Sequence, residues 1–226
     1  MSLEQIEQAY ARRQPADPRY HPLNPVQLQA LQERERAVAA LLRRHGGADP
    51  AQLRVTELGC GSGGNLLMLL RLGLAPERLS GVELLPERVA AARALLPSAV
   101  QLHAGDARSA PIQSGSQDLV FLATVLSSVL DDGLQQQLAD TAWRWLRPGG
   151  LLLCYDFAFD SPANRDVRGV PVARQRQLWP QGQTLALRRL TLAPPLARRL
   201  PPALLPIVNT LLPVLRTHRL LMLRKP

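Results

Sequence analysis

The chain has 226 residues, of which 46% are hydrophobic, so it can bury one sizeable core and leaves little room for a second full domain. Its formal net charge is +9 at pH 7, and Asp166 is the last acidic residue, so the final quarter carries only positive charge. Such clustering indicates an anionic partner (a phosphorylated small molecule, an acidic lipid surface or nucleic acid) or an arginine-rich composition without a role of its own.

No segment of the sequence has the features of a membrane span or a secretory signal. Residues 1–13 are polar and charged, and the apolar stretch 203–215 is broken by prolines and shorter than the ~20 residues that a bilayer requires. The two cysteines, Cys60 and Cys154, lack metal-ligand spacing and are interpreted as reduced thiols. We therefore expect a cytoplasmic protein, soluble or peripheral at the inner membrane surface, with no metal.

The first 50 residues are predicted to form a helical cap. Helical spacing with few breakers runs through Ser2–Arg13 and Pro25–Arg44, and a proline-rich bend, Pro15–Pro22, separates the two segments. The bend could fold over a pocket in the remainder of the chain. Residues 51–226 are predicted to form the main domain.

From Leu53 onwards, short apolar strands alternate with helices, which predicts a parallel doubly wound sheet because parallel strands need crossover helices. The predicted strands are Leu53–Leu58, Leu79–Glu83, Val100–His103, Asp118–Ala123, Leu151–Phe157, Thr184–Leu192 and His218–Arg224. The predicted helices are Asn65–Leu72, Pro86–Leu96 and Leu134–Leu146, the last capped by Asp131 or Asp132 and ended by Arg147–Gly150. A basic, proline-rich insert at about residues 193–217 separates the last two strands.

A glycine-rich segment, Glu57-Leu58-Gly59-Cys60-Gly61-Ser62-Gly63-Gly64-Asn65, directly follows the first strand. Without side chains its backbone can approach a ligand closely, and the next helix begins with unpaired N–H groups. The glycines also fit the Gly-x-Gly-x-x-Gly pattern of dinucleotide-binding folds, which keeps a nicotinamide-dependent oxidoreductase open as an alternative. An acid at Glu57 favours a cationic ligand over a pyrophosphate.

Two further acids are predicted at the same edge of the sheet. Glu83 ends the second strand, where an acid can accept hydrogen bonds from both ribose hydroxyls, and Asp106 follows the third strand in Gly105-Asp106-Ala107. Taken together, these motifs over about residues 53–157 resemble class I S-adenosylmethionine-dependent methyltransferases of the small-molecule, type 11-like kind. The segments around residues 10–13, 164–170 and 192–199 look loosely like bacterial methyltransferases of surface-polysaccharide or related secondary biosynthesis.

The resemblance implies an α/β, Rossmann-like, doubly wound seven-stranded sheet with an antiparallel last strand, and S-adenosyl-L-methionine as the cofactor. It also implies that the acid of the third motif, Asp106, contacts the adenine amine. The predicted cofactor-binding residues are Glu57, Gly59, Gly61, Gly63, Asn65, Glu83, Leu84, Asp106, Ala107 and Ala123.

The sequence narrows the range of possible acceptors of the methyl group. Enzymes that methylate amines of nucleic acids usually carry Asn/Asp-Pro-Pro-Tyr/Phe after the fourth strand, whereas residues 123–128 read Ala-Thr-Val-Leu-Ser-Ser, so a nucleic-acid acceptor is not expected. We predict O-methylation of a small or lipid-linked anionic acceptor such as a phosphorylated sugar, with peripheral membrane contact as an option. A non-catalytic RNA-binding or membrane-binding module is the other alternative.

Few side chains are candidates for acid–base work, and positioning of the reactants can supply most of the catalysis. The predicted catalytic residues are Asp156, at the end of the fifth strand, and His21, in the N-terminal bend; their alternative roles are structural pairing and surface exposure. The residues predicted to contact the acceptor are Tyr10, Arg13, Tyr20, Tyr155 and Arg168. Solvated arginines on an amphipathic cap are the alternative for the N-terminal members.

Overall fold

The computed structural model describes residues 17–47, 49–160 and 164–226, together with Ile6, Gln8 and Tyr10. Its strands are β1 (Val55–Leu58), β2 (Leu79–Glu83), β3 (Gln101–Ala104), β4 (Gln117–Ala123), β5 (Leu146–Phe157), β6 (Gln183–Leu192) and β7 (Arg216–Arg224). They form one sheet of seven strands in the order β3-β2-β1-β4-β5-β7-β6. Strands β1 to β5 are parallel and β7 runs antiparallel to both of its neighbours, which confirms the predicted fold class.

The helices follow the predicted alternation with strands. They are α1 (Pro25–His45), α2 (Gly64–Arg71), α3 (Pro86–Leu95), α4 (Asp132–Trp145), α5 (Val172–Leu178), α6 (Pro194–Ala197) and α7 (Leu205–Leu211). Asp131 caps α4 by accepting a hydrogen bond from Leu134 N at 2.7 Å, so the first of the two predicted caps is the one used. Most boundaries lie within about two residues of those predicted, as is usual for frayed ends.

Strand β5 begins earlier than predicted. The segment Arg147–Gly150, predicted as a helix stop and turn, already belongs to the strand, which follows α4 without a loop. The register between β4 and β5 shifts between Gln117 and Leu119, and Gly149 has a φ of +75°. A bulge of this kind lets an irregular segment stay hydrogen-bonded to the sheet.

Helix α1 packs directly on the sheet. Val38 and Leu41 are buried with Val55 of β1 and Leu153 of β5 in one hydrophobic cluster. A second cluster on the opposite face of the sheet joins β4 and β5 to α4. The division of the chain near residue 50 into a cap and a main domain stays a prediction.

The insert occupies residues 193–215, since β7 starts at Arg216, two residues before its predicted start. It contains α6, α7 and short 3₁₀ turns. A small cluster of Leu192, Ala197 and Leu205, with Val26 of α1 packed against it, attaches the insert to the domain. Over the described residues, no helix has both the length and the hydropathy needed to cross a bilayer.

Candidate functional site

The glycine loop between β1 and α2 requires glycine at several positions. Gly59, Gly61 and Gly63 have φ values of +73°, +55° and +85°, a region that L side chains rarely adopt. A Cβ on Gly59 would lie 2.5 Å from Val125 Cγ2, and one on Gly63 would lie 2.8 Å from Leu96 Cδ1. The loop is therefore held close to its neighbours and exposes backbone, as a small-ligand cradle requires.

Glu57 is fully buried at the end of β1 and keeps one oxygen available. Asn65 Nδ2 donates to Glu57 Oε1 at 2.5 Å, whereas Glu57 Oε2 and Asn65 Oδ1 have no partner among the described residues. Burial raises the pKa of Glu57 to about 8, while the Asn65 hydrogen bond and the charge of Arg34 oppose the shift and the charge of Glu83 adds to it. A buried carboxyl with an unbonded oxygen fits the ammonium group of S-adenosylmethionine.

Glu83 ties the glycine loop to the end of β2. Gly61 N donates to Glu83 Oε2 at 2.8 Å and Leu85 N donates to Oε1 at 3.1 Å. Each carboxylate oxygen retains a free lone pair, because an ionised carboxylate accepts about four hydrogen bonds. The carboxylate is therefore fixed in orientation and still able to accept bonds from two ribose hydroxyls. The half-buried Leu84 follows it.

Asp106 caps the short turn after β3 and is paired with Arg108. The backbone N of Arg108 donates to Asp106 Oδ1 at 2.9 Å, and its guanidinium lies 2.7 Å from Oδ2. Burial opposes ionisation of Asp106, but the hydrogen bonds and charge of Arg108 outweigh it and hold the pKa of the carboxyl below its usual value. Ala107 is buried beside it. The contact of Asp106 with adenine stays a prediction.

The end of β4 carries an unusual backbone conformation. Thr124 follows Ala123 with a φ of +56°, which is rare for a β-branched residue. Its N–H donates to Tyr155 O at 2.7 Å and its Oγ1 donates to Ala123 O at 2.7 Å. Residues held in such conformations cluster at ligand sites, so Thr124 adds to the predicted set through a signal that sequence does not display.

Arg34 of α1 reaches the same edge of the sheet and is not among the predicted site residues. Its guanidinium carbon lies 5.2 Å from the centroid of the Tyr155 ring, and its charge acts on Glu57. Its Nε is buried without a hydrogen-bond partner in the part of the chain that the structure describes. A sequence signal exists, because Arg34 precedes the buried Ala37, Val38 and Leu41 by three, four and seven residues and so lies on the inward face of α1.

Tyr155 belongs to a polar and aromatic group around the end of β5. Its OH is 2.6 Å from Thr191 Oγ1, and its ring stacks on His218 with centroids 4.9 Å apart. Burial raises the pKa of Tyr155 to about 12. Burial, with a smaller effect of Arg34, lowers the pKa of His218 to about 3, so this imidazole is neutral at physiological pH. His218 thus lies beside Tyr155, one of the residues predicted to contact the acceptor.

Asp156 lies on the other face of the sheet from Tyr155, because successive residues of a strand alternate. Its Oδ1 accepts from Phe157 N at 2.9 Å and its Oδ2 from Ser127 N at 3.2 Å. Burial raises its pKa to about 6, against the hydrogen bonds it accepts. These contacts hold the loop after β4, and a catalytic role for Asp156 stays a prediction.

Of the remaining predicted residues, Tyr10 and Arg168 contact the loop after β4. Tyr10 OH donates to Ser128 Oγ at 3.2 Å, and the guanidinium carbon of Arg88 lies 4.4 Å from the centroid of its ring. Arg168 N donates to Ser127 O at 2.9 Å, and its guanidinium pairs with Asp132. His21 is exposed and its Nδ1 accepts from Leu23 N at 3.2 Å. Arg13 and the Tyr20 side chain lie outside the described residues.

Comparison with known proteins agrees with this arrangement. Residues 56–154 match the family model of a methyltransferase domain. The tRNA N(3)-methylcytidine methyltransferase Mettl2 of Drosophila melanogaster is 32% identical over 121 residues, which are 49% of this chain and 37% of that protein. The chain spans about a third of the length of the curated relatives it matches.

Solved structures share the fold. Geranyl diphosphate C-methyltransferase from Streptomyces coelicolor A3(2), in complex with Mg²⁺, geranyl diphosphate and S-adenosyl-L-homocysteine, superposes with a TM-score of 0.67 at 17% identity, covering 99% of this chain and 97% of that one. An S-adenosylmethionine-dependent methyltransferase from Mesorhizobium loti gives a TM-score of 0.62 at 18% identity, covering 86% of this chain and 100% of that one.

Residues 56–154 are thus similar to a methyltransferase domain, and the fold is shared with S-adenosylmethionine-dependent methyltransferases. The predicted resemblance, with S-adenosylmethionine as the cofactor that it implies, agrees with these similarities.

Proposed function

We propose that this chain transfers a methyl group from S-adenosylmethionine to an oxygen of a small or lipid-linked anionic acceptor such as a phosphorylated sugar. The position of the Arg34 guanidinium supports an anionic acceptor. Its carbon lies 5.2 Å from the Tyr155 ring centroid, and its charge is close enough to Glu57 to affect the pKa of that residue. A cation is thereby placed between the cofactor acids and the end of β5.

The cofactor side of the proposal rests on Glu57, Glu83 and the glycine loop. S-adenosylmethionine, when bound, supplies a methyl group activated by its positive sulfur. Glu57 Oε2 is buried and available to an ammonium group, and Glu83 is held by Gly61 N and Leu85 N with lone pairs left for hydroxyls. Burial of the site excludes water and strengthens each of these contacts.

The acceptor side is proposed to work mainly by positioning. Arg34 Nε is buried without a described partner, and a guanidinium binds carboxylate or phosphate oxygens through paired N–H donors. The neutral His218 is a weak base because its pKa is about 3. We therefore assign the main contribution to alignment of the acceptor oxygen with the methyl group, which can lower a barrier by about 7–11 kcal/mol.

An RNA acceptor is the second candidate. The similarity to Mettl2, a tRNA N(3)-methylcytidine methyltransferase, and the basic C-terminal quarter favour it. The residues Ala123–Ser128 lack the Pro-Pro-Tyr or Pro-Pro-Phe feature that accompanies methylation of amines in bases, which supports the first candidate. The structure of geranyl diphosphate C-methyltransferase holds a small diphosphorylated acceptor on a similar fold, which also supports it.

Two measurements test the proposal. Calorimetric titration with S-adenosylmethionine, S-adenosylhomocysteine and NAD(P)H should show binding of the first two alone. Transfer of radiolabelled methyl from S-adenosylmethionine is then followed with phosphorylated sugars, lipid-linked sugar phosphates and bulk tRNA as acceptors. Label in a sugar phosphate or lipid-linked product supports the first candidate, label in tRNA alone replaces it with the second, and failure to bind S-adenosylmethionine refutes both.

A further inference from the structure

The outer surface of the insert is apolar and exposed. Ile207, Leu211 and Val214 are 52%, 71% and 70% exposed, and Leu204 and Leu212 are exposed beside them. Residues 200–215 contain no charged side chain. Single exposed apolar residues are ordinary, but a contiguous apolar patch on a protein surface marks a site of interaction.

These side chains are not displaced members of the core. Leu204, Ile207 and Leu211 follow helical spacing of three and four residues and share the outward face of α7 and the turn before it. Leu205 and Asn209 point inward and are buried, and Leu205 packs in the cluster that fixes the insert to the domain. The outward face therefore belongs to a segment whose inward side is packed against the domain.

Positive charge borders this face. Arg198 and Arg199 are exposed just before it. Asp17 lies close enough to Arg198 to be affected by its charge, but it is ion-paired with Arg19 at 2.5 Å. Arg19, Arg198 and Arg199 together with Asp17 therefore carry a net positive charge. No acidic residue follows Asp166 in the sequence, so these arginines have no acidic neighbour along the chain.

We propose that this face, Leu204, Ile207, Leu211, Leu212 and Val214 with Arg198 and Arg199, docks on an anionic lipid bilayer. Apolar side chains next to cations match the interface between acyl chains and negatively charged headgroups. The apolar side chains enter the headgroup region and the arginines contact lipid phosphates. The docking does not depend on the proposed methyl transfer.

The insert lies at the functional edge of the sheet. It leaves the end of β6 at Leu192 and returns into β7 at Arg216, and these two residues are paired. On the other side of β7, His218 pairs with Phe157 at the end of β5, two residues after Tyr155. A bilayer against the insert therefore lies on the side of the molecule to which the candidate acceptor site opens.

Flotation with vesicles tests the docking. The full chain is mixed with vesicles of phosphatidylcholine alone or with about one third phosphatidylglycerol, and the wild type should bind the anionic vesicles at least about tenfold more strongly. Leu211→Glu should lower that binding about tenfold or more. Leu95→Glu, which places the same charge on an exposed leucine at the end of α3, is the matched control and should bind as wild type does.

A second pair of variants tests the charge. Arg198→Ser with Arg199→Ser should lower anionic vesicle binding about tenfold, whereas Arg43→Ser with Arg44→Ser, exposed at the far end of α1 about 25 Å from Val26, should not. S-adenosylmethionine binding and thermal melting confirm that each variant is folded. Equal binding to neutral and anionic vesicles, no binding, or conversion of a dimer to a monomer by Leu211→Glu without a lipid effect would each overturn the proposal.

Discussion

Asn65 donates its side-chain amide to Glu57 at 2.5 Å and leaves the second carboxyl oxygen of this buried acid without a described partner. Because burial raises the pKa of Glu57 to about 8, the carboxyl is mostly protonated at neutral pH without a ligand. If its ionised form binds the ammonium of S-adenosylmethionine, binding must release a proton. The affinity should then rise by up to about tenfold per pH unit below pH 8 and level off above it.

Calorimetry in buffers of different ionisation enthalpy measures this proton release directly. Glu57→Gln should bind more weakly and show a much flatter pH dependence. The raised pKa of Glu57 also affects stability. Between about pH 4.5 and about pH 8 the folded state keeps a proton on Glu57 that the unfolded state loses, so the contribution of this residue to stability should fall as the pH rises through this range. An affinity of wild type that does not change with pH would remove Glu57 from contact with the ammonium.

Glu83 serves two purposes, and its substitutions should separate them. Glu83→Ala removes the acceptor for Gly61 N and Leu85 N and the proposed ribose contacts, so S-adenosylmethionine affinity should fall by about 1–3 kcal/mol and stability should also decrease. Glu87→Ala, an exposed acid on α3, provides the control and should change neither. Unchanged affinity in Glu83→Ala, measured by calorimetry, would exclude Glu83 from the site.

The cofactor side of the site could be predicted from sequence because it is local. Gly59, Gly61 and Gly63 lie within one turn, and Glu83 lies at the end of a strand adjacent to β1, so spacing alone places them together. Arg34 could not be placed in this way. It comes from a helix that contacts the site only after α1 has packed on the sheet, and an arginine at a helical position is usually solvated.

The face of the sheet on which Asp156 lies could not be predicted from the sequence either. Residues 151–155 of β5 are apolar or buried throughout, so no alternation of polar and apolar residues distinguishes the two faces. Only the pairing of β5 with its neighbours shows that Tyr155 faces α1 and Asp156 faces away from it. Thr124 is similar, because its φ of +56° depends on hydrogen bonds that reach from β4 to β5.

Arg34→Ala should act on the acceptor more than on the cofactor. Loss of the guanidinium removes a charge-assisted contact with an anionic acceptor, so KM for that acceptor should rise by about ten- to hundredfold, corresponding to about 1.5–3 kcal/mol. Arg36→Ala, two residues along α1 and exposed, is the matched control. Steady-state kinetics with calorimetry separate the two effects: a loss of S-adenosylmethionine binding equal to the loss of acceptor binding would contradict this assignment.

The glycines allow strain and steric contact to be separated. Gly64→Ala, with ordinary φ and open space, should be neutral or slightly stabilising. Gly73→Ala, with a φ of +92° and open space, should cost about 1–2 kcal/mol. Gly59→Ala adds a Cβ 2.5 Å from Val125 Cγ2 to a φ of +73° and should cost more than Gly73→Ala. Urea unfolding measures all three, and equal losses at positions 59 and 73 would show that Val125 moves away without cost.

Glu33 should be more important for stability than its neighbour Glu35, although both are acids of α1. Glu33 Oε2 accepts from Thr191 N at 2.7 Å, and this hydrogen bond supports a residue whose φ is +62°. Glu33 Oε1 also lies 3.6 Å from Arg216 Nε, at the start of β7. Glu33→Ala leaves a buried N–H without an acceptor and should destabilise the fold by about 1–3 kcal/mol.

Glu35 pairs with Arg71 at 2.5 Å, but the Arg71 side chain is 60% exposed. An exposed ion pair contributes about 0–1 kcal/mol, so Glu35→Ala should change the free energy of unfolding little. Glu33→Gln keeps an oxygen that can accept from Thr191 N and should recover most of the loss. If Glu33→Ala and Glu35→Ala shift the urea midpoint equally, α1 is not anchored to β6 through Thr191, and its attachment rests on apolar contacts such as those of Val38 and Leu41.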